Sequence, residues 1–241
     1  MNASSLALTI VSLAAGLSGA AIAADAVTLH VKPTTVILTP GQNAGSITIT
    51  NEGSTPVNVQ VRVLGWDQSQ NIDQLAVTDK LVASPPAATF APGQSQAIRV
   101  VRMDKSPATH EEAYRVLVDE IPTQTSTPGA GVQLRMRYSL PVFVQPQAEA
   151  KQGKVELNAQ VQGNTLVLTA QNNGLVHAQA TDVSIQYGDR ASTPIVKGLL
   201  GYVLPGKRMQ WTLPVPANAA AKGNATAVTA SLNGQTVAVA L

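Results

Sequence analysis

The side chains that most often do chemistry in proteins are sparse in this chain and stand in no recognised spacing. The three histidines, His30, His110 and His177, are far apart and outside the short spacings of zinc ligands, so we expect each to be a surface residue rather than a metal ligand. The chain contains no cysteine, which excludes disulfide scaffolds, thiolate metal sites and cysteine nucleophiles. No G-x-S-x-G nucleophile motif or glycine-rich phosphate loop occurs. The sequence therefore predicts a protein that is not an enzyme and uses no cofactor or metal.

Charged residues are few as well. They make up 12% of the chain, about half of the roughly 25% found in typical soluble proteins. The 14 acidic residues form no evident inward-facing pair of the kind that glycosidases use. The formal net charge is +2, which is too small to attract a polyanion. We therefore expect no nucleic-acid partner.

One segment has a long and regular apolar pattern. Every second position from residue 132 to residue 144 is apolar, at Val132, Leu134, Met136, Tyr138, Leu140, Val142 and Val144. This alternation predicts a β-strand with one apolar face, and it is longer than the usual strand of about 5 to 6 residues. Such a face can be buried in the domain's own core, or it can be lent to another chain at a sheet edge. The polar loop at residues 122–131 favours the second interpretation.

The rest of the chain has the pattern of a β-sandwich protein. Short alternating runs are interrupted by frequent turn sequences, among them Pro40-Gly41, Asn51-Glu52-Gly53, Pro92-Gly93, Asn172-Asn173-Gly174 and Pro205-Gly206. This pattern is typical of immunoglobulin-like sandwiches of about 100 residues. We predict an all-β fold with two such domains, at residues 27–146 and 154–241, joined by a polar linker at residues 147–153. The two Asn-x-Gly sequences lie early in each half, which indicates two related folds.

The amino terminus predicts export. Residues 6–24 contain no charged side chain, and Ala21-Ile22-Ala23 matches the A-x-A pattern of signal peptide cleavage. We expect a signal peptide at residues 1–23, with cleavage as late as residue 26 because Ala24-Asp25-Ala26 repeats the pattern. The alternative is an uncleaved membrane anchor, since the segment is just long enough to span a bilayer.

Several short motifs occur in a specific order along the chain. In the first half they are Thr34-Thr35-Val36-Ile37-Leu38-Thr39-Pro40-Gly41, Ile47-Thr48-Ile49-Thr50-Asn51, Ser84-Pro85-Pro86, Phe90, Pro92-Gly93, Ile98-Arg99-Val100, Ala113-Tyr114-Arg115-Val116, Glu120-Ile121-Pro122 and Leu140-Pro141-Val142-Phe143-Val144-Gln145-Pro146. In the second half they are Gly201-Tyr202-Val203-Leu204-Pro205-Gly206 and Trp211. In order and spacing, these motifs resemble the periplasmic chaperones of the chaperone–usher pilus pathway, the PapD-like family.

The resemblance implies two immunoglobulin-like domains set at an angle, with a cleft between them. It also implies that the long alternating strand is the family's G1 strand, which completes the unfinished immunoglobulin fold of a pilus subunit. Its donor side chains would be Val132, Leu134, Met136 and Tyr138. Such a protein binds and caps pilus subunits in the periplasm without ATP and delivers them to an outer-membrane usher. When free, it could self-associate through the same strand.

The family's carboxylate anchor is altered in this sequence. Well-studied members hold the terminal carboxylate of the subunit with an Arg and a Lys, but those positions align with Thr35 and Pro141. A buried carboxylate still needs a cationic partner. Our candidates, in order, are Arg115, Arg102, Arg137 and Lys32; the alternative for Arg115 is an ordinary ion-paired strand residue. The context of Pro141 also resembles the archaic branch, which assembles Csu-type pili.

Arg99 and Glu111 match positions that the family uses for a charge cluster between the domains. There they would set the angle of the cleft rather than touch the subunit. The alternative is an exposed pair that contributes less than about 1 kcal/mol.

The main alternative function is that of a secreted two-domain adhesin, a carbohydrate-binding module or a pilus subunit. A sugar-binding module would show exposed aromatic side chains, but the chain has only 2 Trp, 2 Phe and 4 Tyr. A pilus subunit would usually be one domain with its own donor extension. Both observations favour the chaperone, whereas the fold alone would not.

Overall fold

The structure is a computed structural model that describes residues 29–121, 135–147, 155–188, 192–217 and 224–241. Within these ranges, no helix has the length and apolar character needed to cross a lipid bilayer. The expected signal peptide lies outside the described residues, as do all but the first residue of the expected linker. Val132 and Leu134 of the long alternating strand lie outside them too.

The first ten strands form one β-sandwich. They are β1 (Leu29–Lys32), β2 (Val36–Leu38), β3 (Ala44–Asn51), β4 (Val57–Ser69), β5 (Ile72–Val77), β6 (Leu81–Ser84), β7 (Ala87–Phe90), β8 (Ser95–Arg102), β9 (Glu112–Ile121) and β10 (Arg137–Val144). One sheet has the order β1-β3-β8-β6. The other has the order β2-β10-β9-β4-β5, with β7 also paired to β4.

Alternation along the strands places the apolar side chains between these two sheets. In β4, Val57, Val59 and Val61 are buried, while the polar residues between them are partly or fully exposed. Phe90 and Ile98 are completely buried in the same core. Because each large apolar side chain removed from water contributes about 1.5–3 kcal/mol, this core can hold the domain together without a disulfide.

The remaining strands form a second sandwich with its own core. They are β11 (Val155–Gln162), β12 (Thr165–Asn172), β13 (Ala178–Gln186), β14 (Thr193–Pro194), β15 (Leu199–Val203), β16 (Arg208–Pro214), β17 (Ala227–Leu232) and β18 (Gln235–Ala240). The sheets have the orders β11-β12-β16 and β14-β13-β17-β18, with β15 paired to β13. The separate core confirms the prediction of an all-β protein with two sandwiches. The exact domain limits stay predictions.

A buried asparagine closes one end of the first domain. The Asn51 side chain donates from Nδ2 to the carbonyl oxygens of Thr55 at 2.8 Å and Phe90 at 3.1 Å. Its Oδ1 accepts a hydrogen bond from the backbone N–H of Gly53 at 3.0 Å. The side chain therefore provides hydrogen-bond partners for backbone groups of this turn and of β7.

The second domain repeats this arrangement. Asn172 Nδ2 donates to the carbonyl oxygens of Val176 and Val203, both at 2.8 Å. Its Oδ1 accepts from the backbone N–H of Gly174 at 2.9 Å. The two Asn-x-Gly sequences thus build the same structure in each domain, in agreement with the prediction of related folds.

We expect Asn51→Ala and Asn172→Ala each to lower the free energy of unfolding by about 1–3 kcal/mol, because each leaves buried carbonyl groups without a donor. Asn158→Ala, at an exposed position of β11, is the control and should change stability by less than about 0.5 kcal/mol. Urea unfolding followed by circular dichroism measures all three. Equal effects of the buried and the exposed substitutions would contradict this account of the turns.

Candidate functional site

Strand β10 is paired unequally on its two sides. β9 pairs with it along the whole range Arg137–Val144. On the other side, only Val142–Val144 are paired, in parallel with Val36–Leu38 of β2. No described strand pairs with that side of residues 137–141. Because backbone donors and acceptors at an open edge need a partner, this edge can accept a strand from another chain.

The apolar face of β10 is buried in the core of its own domain only at the end of the strand that pairs with β2, and it becomes exposed toward Met136. Leu140, Val142 and Val144 are buried in the core of the first sandwich. Tyr138 is half-buried against that core, and its hydroxyl donates to the carbonyl oxygen of Leu29 at 2.6 Å. Met136 is 45% exposed. Of the four predicted donor side chains, the structure therefore shows one exposed and one turned toward its own domain.

Arg115 lies on β9, one strand in from the open edge. It is the cross-strand neighbour of Pro141 on β10. Its guanidinium stacks 3.6 Å from the centre of the Trp66 ring and lies 5.6 Å from that of Tyr202, a residue of the second domain. Burial lowers the pKa of this guanidinium, and the charge of Asp73 opposes the shift. Because a guanidinium is protonated far above neutral pH, Arg115 remains a cation at pH 7.

A pair of arginines lies on the same face of the sheet as Arg115. Arg62 and Arg137 both bind the carboxylate of Asp119, Arg62 at 2.7 Å. Burial alone would raise the pKa of Asp119, but the hydrogen bonds and charges of the two arginines prevail and hold it below its usual range. Arg137 is therefore already engaged by a carboxylate of its own chain.

The other two predicted anchors lie in the opposite sheet. Arg102 ends β8 and is buried, where it donates to the carbonyl oxygen of Ser106 at 2.8 Å and pairs with Glu112 at 3.4 Å. Lys32 ends β1 and is exposed. Among the four candidate cations, only Arg115 and Arg137 share the face that flanks the open edge, and only Arg115 also neighbours the second domain.

The two domains meet at the end of β4. Gln68 is buried there and binds the backbone of the second domain twice: Nε2 donates to the carbonyl oxygen of Tyr202, and Oε1 accepts from the N–H of Leu204, both at 2.9 Å. Asp67 beside it pairs with Lys207 at 2.7 Å. A groove of about 670 Å³ with walls from both domains lies next to these contacts.

Glu111 forms the second link between the domains. Its buried carboxylate accepts from the backbone N–H of His177 at 2.8 Å and lies 2.7 Å from Nδ1 of the same residue. The His177 ring stacks on Phe143, with 3.6 Å between the ring centres. Arg99, in contrast, is exposed on β8 and forms no ion pair with a described residue. The structure therefore places Glu111 between the domains but does not bring Arg99 to it.

Comparison with known proteins now identifies the family. Residues 28–150 match the family described as pili and flagellar-assembly chaperone, PapD N-terminal domain. The chain belongs to this family. Its members are assembly chaperones rather than enzymes, and no group of three His, Cys, Asp or Glu side chains within the described ranges could hold a metal ion. No curated protein sequence matches the chain.

Solved structures of PapD-like chaperones share the fold of about nine tenths of the chain. One is the CsuC–CsuE chaperone–tip adhesion subunit pre-assembly complex from archaic Csu pili of Acinetobacter baumannii, with TM-score 0.63, 20% identity and coverage of 88% of this chain and 97% of the other. The SafA pilin–SafB chaperone complex of Salmonella enterica gives TM-score 0.62 and 18% identity over 91% and 99% of the two chains. The chaperone DraB of E. coli gives 0.56 and 21% over 89% and 98%. These matches confirm two immunoglobulin-like domains set at an angle around a cleft.

Within this PapD-like architecture, the sequence indicated Glu111 but not the other residues that join the domains. The expectation that His177 lies at the surface is wrong, because its ring is only 19% exposed and is held by Glu111 and Phe143. Gln68 was missed because it binds backbone atoms of Tyr202 and Leu204, and every residue type offers such atoms. Trp66 could have been suspected, since it is one of only 2 Trp in the chain.

The arginine pair around Asp119 predicts a pH-dependent contribution to stability. The pKa of Asp119 is lower in the folded state than the unfolded value of about 3.9. Its carboxylate therefore stabilises the fold above about pH 4, and this contribution is lost as the pH falls through the folded pKa. We expect Asp119→Asn to lower the free energy of unfolding at pH 7, with a difference from the unmodified protein that shrinks below about pH 4.

Urea unfolding between pH 7 and pH 3 tests this expectation. Asp79→Asn is the control, because Asp79 is exposed and has no ion pair with a described residue. A difference for Asp119→Asn that is constant over this pH range would contradict the role assigned to the two arginines.

Proposed function

We propose that this protein is a periplasmic chaperone that binds, folds and caps pilus subunits by donating its G1 strand to their incomplete immunoglobulin fold. It then delivers them to an outer-membrane usher without using ATP. The donor side chains in this proposal are Val132, Leu134, Met136 and Tyr138. The observation that supports it most directly is the open edge of β10 at residues 137–141. The apolar face of the same strand is no longer covered by its own domain at Met136.

Strand donation gives a physical reason for binding without a cofactor. Backbone hydrogen bonds between the open edge and a subunit strand extend the sheet, and they satisfy donors and acceptors on both chains. The alternating apolar side chains replace the missing core of the subunit, at about 1.5–3 kcal/mol for each large side chain that becomes fully buried. The free energy of completing the subunit's fold therefore drives association.

In this proposal, Arg115 holds the terminal carboxylate of the subunit. The positions that bear Arg and Lys in well-studied relatives are Thr35 and Pro141 here, and Arg115 is the neighbour of Pro141 across the sheet. Its side chain is 14% exposed, and its guanidinium is stacked on the ring of Trp66. A cation in such a partly dry site forms strong charge-assisted hydrogen bonds with a carboxylate. The other three cations are less suitable. Arg137 is already bound at short range by the carboxylate of Asp119, and Arg102 and Lys32 lie in the other sheet.

The same edge offers a route to self-association when no subunit is present, since a second copy could pair with it. Export to the periplasm follows from the signal peptide expected at residues 1–23. Assignment to the archaic Csu-type branch remains a prediction from the sequence around Pro141.

The competing function as a carbohydrate-binding module has little support in the structure. Every Trp, Phe and Tyr of the chain is among the described residues, and none of these side chains is exposed. Sugar-binding modules normally present an exposed aromatic ring, because pyranose faces stack on it. We therefore retain the chaperone as the single proposed function.

The experiment that tests the proposal is recovery of a tagged mature protein from the periplasm of its host, with the bound partner identified by intact-mass spectrometry. We expect a single small subunit in about equal amount. Leu134→Asp and Met136→Asp should each reduce its recovery at least about tenfold, because a charge would enter the apolar groove of the subunit.

Met103→Asp is the matched control, since Met103 is an exposed methionine outside the strand. This variant should recover the subunit normally. Unchanged recovery with both donor-strand variants, each shown to be folded, would contradict strand donation.

The proposed anchor is tested in the same assay. We expect Arg115→Met, which keeps the length of the side chain but removes its charge, to reduce subunit recovery at least about tenfold, because the terminal carboxylate loses its charge-assisted hydrogen bonds. Arg99→Met is the control, since Arg99 is exposed on the opposite sheet. Normal recovery with Arg115→Met would remove Arg115 from the binding site without affecting strand donation.

A further inference from the structure

Asp73 connects the proposed anchor with the contact between the domains. It lies on β5 and directs its two carboxylate oxygens to different partners. Oδ1 accepts a hydrogen bond from Gln68 Nε2 at 2.9 Å, whereas Oδ2 lies 3.8 Å from the guanidinium of Arg115. The Asp73 side chain is 46% exposed and that of Arg115 only 14%.

The contact between Asp73 and Arg115 is too long to use the hydrogen-bonding capacity of the guanidinium. Charge-assisted hydrogen bonds between such groups measure about 2.7–2.9 Å, and the two residues are separated by 3.8 Å. Within the described part of the chain, the Arg115 side chain forms no hydrogen bond, and Asp73 is its one carboxylate partner. Arg115 is therefore held in place and partly neutralised, yet its N–H groups are free to bind another acceptor.

We propose that Asp73 is a positioning residue that stands in for the terminal carboxylate of the subunit while the cleft is empty. This inference rests on the proposed function, because it takes Arg115 as the anchor. When a subunit binds, its terminal carboxylate forms with Arg115 the short hydrogen bonds that Asp73 does not form. The negative charge of Asp73 then opposes the second carboxylate near the same cation, and this repulsion weakens the anchor. A chaperone must release its subunit to the next partner, and Asp73 keeps the bound carboxylate exchangeable.

The hydrogen bond from Gln68 gives Asp73 its fixed position. Gln68 is itself held by the backbone of Tyr202 and Leu204 in the second domain. Asp73 can therefore remain in place when Arg115 turns to a new acceptor. The substitution Asp73→Asn retains an oxygen that can accept from Gln68 but removes the charge, so it separates the electrostatic effect from the structural one.

The test uses the full mature protein and sodium acetate as the carboxylate probe. The Nε–Hε resonance of Arg115, assigned by its loss in Arg115→Met, reports binding in an NMR titration against sodium chloride at constant ionic strength. We expect Asp73→Asn to lower the apparent dissociation constant for acetate by about two- to fivefold, the range expected for a partly exposed ion pair. The backbone amide resonance of Leu204, which donates to the other end of the Gln68 amide, should not move, because Gln68 keeps its position.

Asp67→Asn is the matched control. Asp67 is also a carboxylate at the domain boundary, but its partner is Lys207 rather than Arg115. It should leave the acetate dissociation constant unchanged. A tightening of the same size in Asp67→Asn would show a general effect of net charge and would overturn the role of Asp73.

Weaker or unchanged acetate binding in Asp73→Asn would also overturn the proposal, and a shift of the Leu204 amide resonance would identify a merely structural role. No response of Arg115 to acetate in any variant would reject both Arg115 as the anchor and Asp73 as its stand-in. Strand donation is judged separately by subunit recovery with the Met136→Asp and Leu134→Asp variants. Failure of strand donation can therefore be distinguished from failure of the roles proposed for Arg115 and Asp73.

Discussion

A β-strand that is hydrogen-bonded on one side only must find a second partner for its backbone, and β10 is in that position over residues 137–141. Water can satisfy these groups, but a strand from another chain does so while also covering an apolar face. The short β2 determines where the edge opens, because it pairs with the last three residues of β10 only. The proposed subunit site begins where this pairing ends.

The rest of the structure places a cation and a second domain at that point. Arg115 reaches the end of the open edge from β9, and Trp66 and Tyr202 form the aromatic surroundings of its guanidinium. The second domain is held there by side chains that bind backbone atoms, namely the amide of Gln68 and the carboxylate of Glu111. Loss of such buried hydrogen bonds is costly because the partner groups would remain unsatisfied. These contacts fix the orientation of the cleft.

Sequence patterns were sufficient for features that depend on local order. Alternation predicted the strands and the two sandwiches, and the Asn-x-Gly pairs predicted the related turns around Asn51 and Asn172. They could not predict Gln68 or His177 as links between the domains, because these residues bind groups more than 60 positions away in the chain. The sequence already ranked Arg115 first among the candidate cations, but only strand register shows that Arg102 and Lys32 lie in the other sheet.

The most direct test of the central claim is hydrogen–deuterium exchange of the purified protein, free and in complex with the subunit recovered from its host. If β10 receives the subunit strand, peptides that cover residues 137–141 will exchange much more slowly in the complex. Peptides from β5, at the other edge of the same sheet, will exchange at the same rate in both states. Protection of β5 without protection of residues 137–141 would contradict the account.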